Sequence, residues 1–136
     1  MKMPRYLLAV FCALYGSAFA GTPHIVCTDT AFDFGTVAST QVVTRAFILK
    51  NDGEAPLVFE KVRSSCGCTT ATLSDKTTPP GSNCTVAVTM TMKGRTGLQH
   101  KALYVHSNDP TQPILQLRMT GTIVVVSTNQ TPAVSK

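Results

Sequence analysis

Two thiols one residue apart, in Cys66-Gly67-Cys68, are the side chains of this sequence best spaced to do chemistry. They admit three readings, and the first, a structural one, ranks ahead. It makes the pair a tight local disulfide, or one buried and one exposed thiol. On a regular strand, residues i and i+2 have Cα atoms ~6.5 Å apart, near the upper limit for a disulfide. Gly67 lets the chain bend and shortens that distance. The second reading is soft-metal binding by two thiolates, with Cu(I) the best match because it accepts two sulfur ligands. A closed zinc site is not expected, since no second C-x-x-C or H-x-x-x-H pair exists. Met90 and Met92 add soft ligands on paper, yet they fall in the apolar phase of a strand and read as packing. In the third reading the pair cycles between dithiol and strained disulfide. It lacks C-x-x-C spacing and any helix N-terminus to lower a thiol pKa.

No other residues rival this pair. His24, His100 and His106 show no metal-ligand spacing. The 7 acids are scattered, and no two suggest general acid–base work. There is no G-x-S-x-G and no Ser/His/Asp grouping. No catalytic residue, and hence no enzyme, is expected. Metal ligands are expected to be none, with Cys66 and Cys68 as the copper alternative. Tyr104 and His106 share a strand face with Gln116 and Arg118 on a neighbour, which reads as solvated sheet surface.

The 5 cysteines of the full sequence are an odd number. Lys2 and Arg5, the apolar stretches 7–11 and 13–19, and Ala18-Phe19-Ala20 have the form of a cleaved secretory signal over residues 1–20. Its apolar run is shorter than the ~20 residues a spanning helix needs. Cleavage removes Cys12 and leaves Cys27, Cys66, Cys68 and Cys84 in an oxidising compartment, where disulfides persist. It also lowers the net charge from +5 to +3 by removing Lys2 and Arg5, too weak and scattered a charge for nucleic acid. The mature chain has no membrane span. Localisation is expected to be periplasm or cell surface, with release outside the cell as a variant. A protein partner of unknown identity is expected, and oligomeric state is left open.

Period-2 alternation dominates what remains. Strands are expected at 24–28 with 32–36 as one broken strand bent at Gly35, then at 40–50, 57–65, 69–73, 83–92, 100–107 and 113–126. Residues 75–81 read as a loop, and 127–136 as a polar tail. In 83–92, Cys84, Val86, Val88, Met90 and Met92 share one face and the threonines with Ala87 the other, so the strand is half buried. Asn51-Asp52-Gly53 and Pro80-Gly81 are turn signals. About seven strands in one domain over 21–126 fit an all-β, immunoglobulin-like antiparallel β-sandwich. Strand parity puts Cys27 and Cys84 at one end of it, and Cys66 and Cys68 at the other. Cys27–Cys84 is therefore the expected disulfide.

Several motifs occur in order: Phe32-Asp33-Phe34-Gly35-Thr36-Val37, Phe47-Ile48-Leu49-Lys50-Asn51-Asp52-Gly53, Pro56-Leu57, Ser65-Cys66-Gly67-Cys68-Thr69, Pro80-Gly81-Ser82, Gly97, Ser107-Asn108-Asp109 and Gly121. Across roughly 30–125 the sequence resembles the bacterial domain-of-unknown-function family 1573, known by a Cys-Gly-Cys-Thr motif. That family looks like the ASPM–SPD-2–Hydin and major-sperm-protein sandwiches. The resemblance implies an exported, single-module β-sandwich in a bacterium and brings no activity. Cys66, Gly67, Cys68 and Thr69 match its motif. Cys27 and Cys84 depart from its pattern, which further favours pairing them. The expected function is a non-enzymatic interaction or envelope-structural module without a cofactor. The alternative is copper binding or thiol redox at Cys66-Gly67-Cys68.

Overall fold

The computed structural model describes residues 21–126; the expected signal segment 1–20 and polar tail 127–136 lie outside the described residues. Nine strands follow in order: β1 (Ile25–Val26), β2 (Ala31–Ala38), β3 (Val42–Asn51), β4 (Leu57–Ser64), β5 (Thr69–Leu73), β6 (Thr77–Thr78), β7 (Asn83–Thr91), β8 (Gly97–Ser107) and β9 (Ile114–Val124). They form two sheets, ordered β1-β3-β7-β5 and β2-β9-β8-β4-β6. This is the expected immunoglobulin-like sandwich, with three differences. The broken first strand is two strands in different sheets, and β2 runs parallel to β9. The loop expected at 75–81 contains β6, which pairs with the start of β4.

The core follows from alternation. Cys84, Val86, Val88, Met90 and Met92 are all buried, so every second residue of β7 and just beyond it faces inward. Phe47 and Leu49 of β3 face Leu57 and Phe59 of β4, Leu103 and Val105 of β8, and Leu115, Leu117 and Met119 of β9 within one cluster. Each such side chain contributes about 1.5–3 kcal/mol by leaving water. Phe47 and Phe59 are the fully buried anchors, while Phe32 and Phe34 pack partly buried against the cluster.

Gly35 produces the bend expected of it. Its φ is +67°, a conformation that favours glycine, and the β2–β9 register shifts between Asp33 and Thr36. Asp33 accepts the Gly35 N–H at 2.8 Å. Across the ladder, a Cβ on Gly121 would overlap the Phe34 ring and lie 2.7 Å from Gly35 O. Glycine there lets β2 sit close against β9.

One end of the sandwich is held by buried polar groups. The Asp109 carboxylate accepts the Ile25 N–H at 2.7 Å and the Thr111 and Gln112 N–H groups at 2.7 and 3.1 Å. It also accepts the Thr111 hydroxyl at 2.7 Å and faces His24 Nδ1 at 3.2 Å. Burial alone would raise its pKa, but these bonds favour the charged form and hold it at about 2. Asn51 is equally well partnered. Its amide donates to Ala55 O and Thr78 O, and its carbonyl accepts from Gly53 N–H.

Candidate functional site

Cys66-Gly67-Cys68 lies at the opposite end, at the corner where the chain changes sheets. β4 ends at Ser64 beside Leu103 of β8, and β5 begins at Thr69 beside Met90 of β7. On the departing side, Ser65 N–H donates to Ala102 O at 2.9 Å and Ala102 N–H returns a bond to Ser65 Oγ at 3.0 Å. On the arriving side, Thr91 N–H donates to Cys68 O at 2.9 Å. Ser64 Oγ donates to Cys66 O and accepts Cys66 N–H, which fixes the first cysteine. Thr69 N–H closes the turn on Cys66 O at 3.2 Å.

Within this turn Cys66 and Cys68 are joined as a disulfide, with Cα atoms 5.3 Å apart. That is shorter than the ~6.5 Å of an extended strand and well inside bridging range. The bend at Gly67 makes the difference, and no atom lies within 4 Å of where its Cβ would be, so the turn is open to solvent. The pair thus has the geometry of a local disulfide, a form common to the structural and the redox readings of the motif.

The expected Cys27–Cys84 disulfide is not formed, and both are free thiols. Parity puts the two at one end but does not say what stands between them. Val26 pairs with Lys50 of β3, and Leu49 of β3 pairs with Cys84. Continuing that register sets Cys27 and Cys84 on either side of Leu49, two strand spacings or roughly 9–10 Å apart. A disulfide needs Cα atoms under about 7 Å apart. Cys84 is instead a core residue whose thiol donates to Asp75 O at 3.4 Å. Cys27 donates to Asp29 O at 3.3 Å, and burial pushes its thiol pKa up.

The residue that sequence reasoning missed is Arg95. It sits in the turn between β7 and β8, where Gly94 has φ +75° and Arg95 N–H donates to Met92 O. Its Nη2 donates to Cys66 Sγ at 3.0 Å. Cys68 N–H donates to the same sulfur at 3.2 Å. Among the described residues Arg95 has no carboxylate partner, and its buried Nε has no hydrogen-bond partner. Lys101 is close enough to feel this charge: burial first, then Arg95, lowers its pKa. Gly94 and Gly97 mark a turn in the sequence, but only the sheet pairing shows that this turn lies beside the cysteines.

The other candidates keep apart from this corner or add little to it. Met90 and Met92 are both 1% exposed, buried in the core as packing side chains are. Among the described residues no group of three or more His, Cys, Asp or Glu is placed to hold a metal ion. Tyr104 pairs with Gln116 and Ala102 with Arg118 on the outer face of the five-stranded sheet. A shallow depression of about 390 Å³ there is lined by Ser65, His100, Gln116, Arg118 and Thr120, among others. His106 shares the face beside Ile114. No described helix is long and apolar enough to cross a membrane.

Solved structures share this architecture at low identity. A protein of unknown function from Porphyromonas gingivalis W83 matches with TM-score 0.64 and 18% identity, over 75% of this chain and 46% of that one. The chain thus spans under half of that protein. The ASH/PapD-like domain 7 of human CEP192 matches with TM-score 0.61 and 10% identity, over 93% of this chain and 99% of that domain. The secreted serine protease VesC from Vibrio cholerae matches with TM-score 0.52 and 13% identity, over 67% of this chain and 21% of the protease. At these identities the likeness shows the fold alone. No curated protein matches the chain. Its family is nonetheless shown by residues 25–123, and the chain belongs to the family described as Protein of unknown function (DUF1573).

Proposed function

We propose that the protein is an exported, non-enzymatic interaction module of the bacterial envelope, working in the periplasm or at the cell surface. It recognises a partner protein by taking up an extended segment as an added strand. One observation carries this reading: the open edge of β3. Among the described residues, β3 pairs with β7 along its length on one side, but with β1 only at Lys50 and Asn51 on the other. From Val42 to Ile48 the outer side of the strand has no strand partner and offers unpaired backbone groups, as sheet edges that accept an added strand do.

The side chains of that edge fit the same role. Val42 and Ile48 are 57% and 59% exposed. Between them the outer face is uncharged, with Thr44 opposite Thr89, Ala46 opposite Ala87 and Ile48 opposite Thr85, and the Lys50 that follows is paired with Asp52. An apolar or small-residue segment would lie against it without desolvating a charge. Arg45 limits the edge to specific use. It points inward, pairs with Asp29 and stacks 4.8 Å from the Phe32 ring centroid. Inward charges of this kind discourage indiscriminate edge pairing.

The test is photo-crosslinking from position 48 in the native envelope, with and without Val42→Lys in the same chain, and with position 60 of β4, in the other sheet, as control. A single crosslinked protein from position 48, lost when Val42 carries a lysine, is the expected result. Fractionation and intact mass should place the chain outside the cytoplasm and starting at Gly21. No crosslink, or one indifferent to Val42→Lys, overturns strand addition. Recovery from the cytoplasm with residues 1–20 attached overturns export.

A further inference from the structure

We propose that the Cys66–Cys68 disulfide is a thiol–disulfide exchange site that accepts two electrons from a pair of thiols in an exported polypeptide, with Arg95 selecting Cys66 as the leaving sulfur. The activity goes beyond partner recognition and stands on separate observations.

The two sulfurs are not equivalent. Cys66 Sγ receives Arg95 Nη2 at 3.0 Å and Cys68 N–H at 3.2 Å. Cys68 Sγ has only the Thr69 hydroxyl, 3.8 Å away. In the disulfide, a neutral sulfur faces a guanidinium that has no carboxylate partner among the described residues. Breaking the S–S bond with charge on Cys66 gives that guanidinium its counter-ion. Nearby cations stabilise thiolates, and a stabilised thiolate leaves faster. The charged group in contact with Cys66 Sγ is Arg95 of the β7–β8 turn, and Lys101 of β8 is near enough to Arg95 to feel its charge. The guanidinium favours the thiolate.

The chemistry then runs in one direction. A substrate thiolate attacks Cys68 Sγ across the open side of Gly67, forming a mixed disulfide and expelling Cys66 as thiolate. A second substrate thiolate attacks the substrate sulfur of that mixed disulfide and expels Cys68. The substrate ends as a disulfide and the protein as a dithiol. Two electrons pass to Cys66 and Cys68, and the two protons released by the substrate thiols go to the cysteines or to solvent. Stabilising the reduced state is what makes a disulfide a good electron acceptor.

Reduced glutathione is the probe, added in excess to the oxidised full chain and quenched with an alkylating reagent. Peptide mass spectrometry should find glutathione on Cys68 and the alkyl group on Cys66. Arg95→Gln should slow reduction about tenfold and shift the glutathione equilibrium about tenfold toward the disulfide. Arg95→Lys should recover most of both, which a merely structural Arg95 would not do. Circular dichroism of each variant separates a lost fold from a lost charge. Glutathione found equally on both cysteines, or a folded Arg95→Gln chain with unchanged rate and equilibrium, overturns the proposal.

Discussion

The two ends of the sandwich treat their buried polar groups differently. At the Asn51–Asp109 end, a carboxylate and an amide are ringed by donors and acceptors from β1, β6 and the turn after β8. At the Cys66–Cys68 end, a guanidinium touches a neutral sulfur and leaves its Nε without a partner. At the Asn51–Asp109 end only the Thr78 hydroxyl is left without a partner, and both charged and amide groups are satisfied; such a network fixes a structure, because removing a member strands the others. An under-satisfied charge beside a breakable bond is the arrangement that a change of chemical state can improve. The family match alone would not separate these ends, since it spans both.

This comparison can be broken most directly at Asp109. Asp109→Ala should cost about 3 kcal/mol, because it leaves the Ile25, Thr111 and Gln112 N–H groups without their acceptor. For a domain of this size, thermal unfolding should shift down by about 12 °C or more. Next in size is acid sensitivity. The folded carboxyl titrates at about 2 against an ordinary value of 3.8, so its ionised form stabilises the fold above about pH 4. That contribution, on the order of 2 kcal/mol, falls away as pH drops from 4 towards 2. Urea unfolding across that range should show the loss in the native chain and not in Asp109→Asn. The smallest effect belongs to the other end. Replacing Cys66 and Cys68 with serine should cost about 1.5 kcal/mol or less, because the loop they close is so short. A loss as large as that of Asp109→Ala, read by the same urea titration, would make the corner structural and erase the contrast.

Alternation made β7 legible, since Cys84, Val86, Val88 and Met90 needed only a period of two to be placed inside. Gly35 and the Asn51-Asp52-Gly53 turn were legible for a similar reason: their backbone demands are local. Asp109 was half legible. Its bonds to Thr111 and Gln112 are local, as Asp before a proline in a turn makes them, but its bond to Ile25 N–H spans most of the fold. The cysteine pairing failed at the same step from local to distant. Parity placed Cys27 and Cys84 at one end, yet which strand lies between two others is a property of the whole sheet order. Arg95 shows the limit for the site. Its turn could be placed from the sequence, but a guanidinium 3.0 Å from one sulfur and not the other is set by side-chain packing.

The parallel pairing of β2 with β9 governs when this fold can exist. β2 is among the first segments of the described chain to be made, and the strand it docks against is the last. Until β9 is delivered, β2 has no ladder, Phe34 has no Gly121 to lie against, and the five-stranded sheet lacks its second strand. Contacts this remote in sequence are slow to form, because the intervening chain must be ordered before they repay its entropy. The sandwich therefore closes late, after almost all of the described residues are present, and a chain whose β9 segment is withheld would remain open.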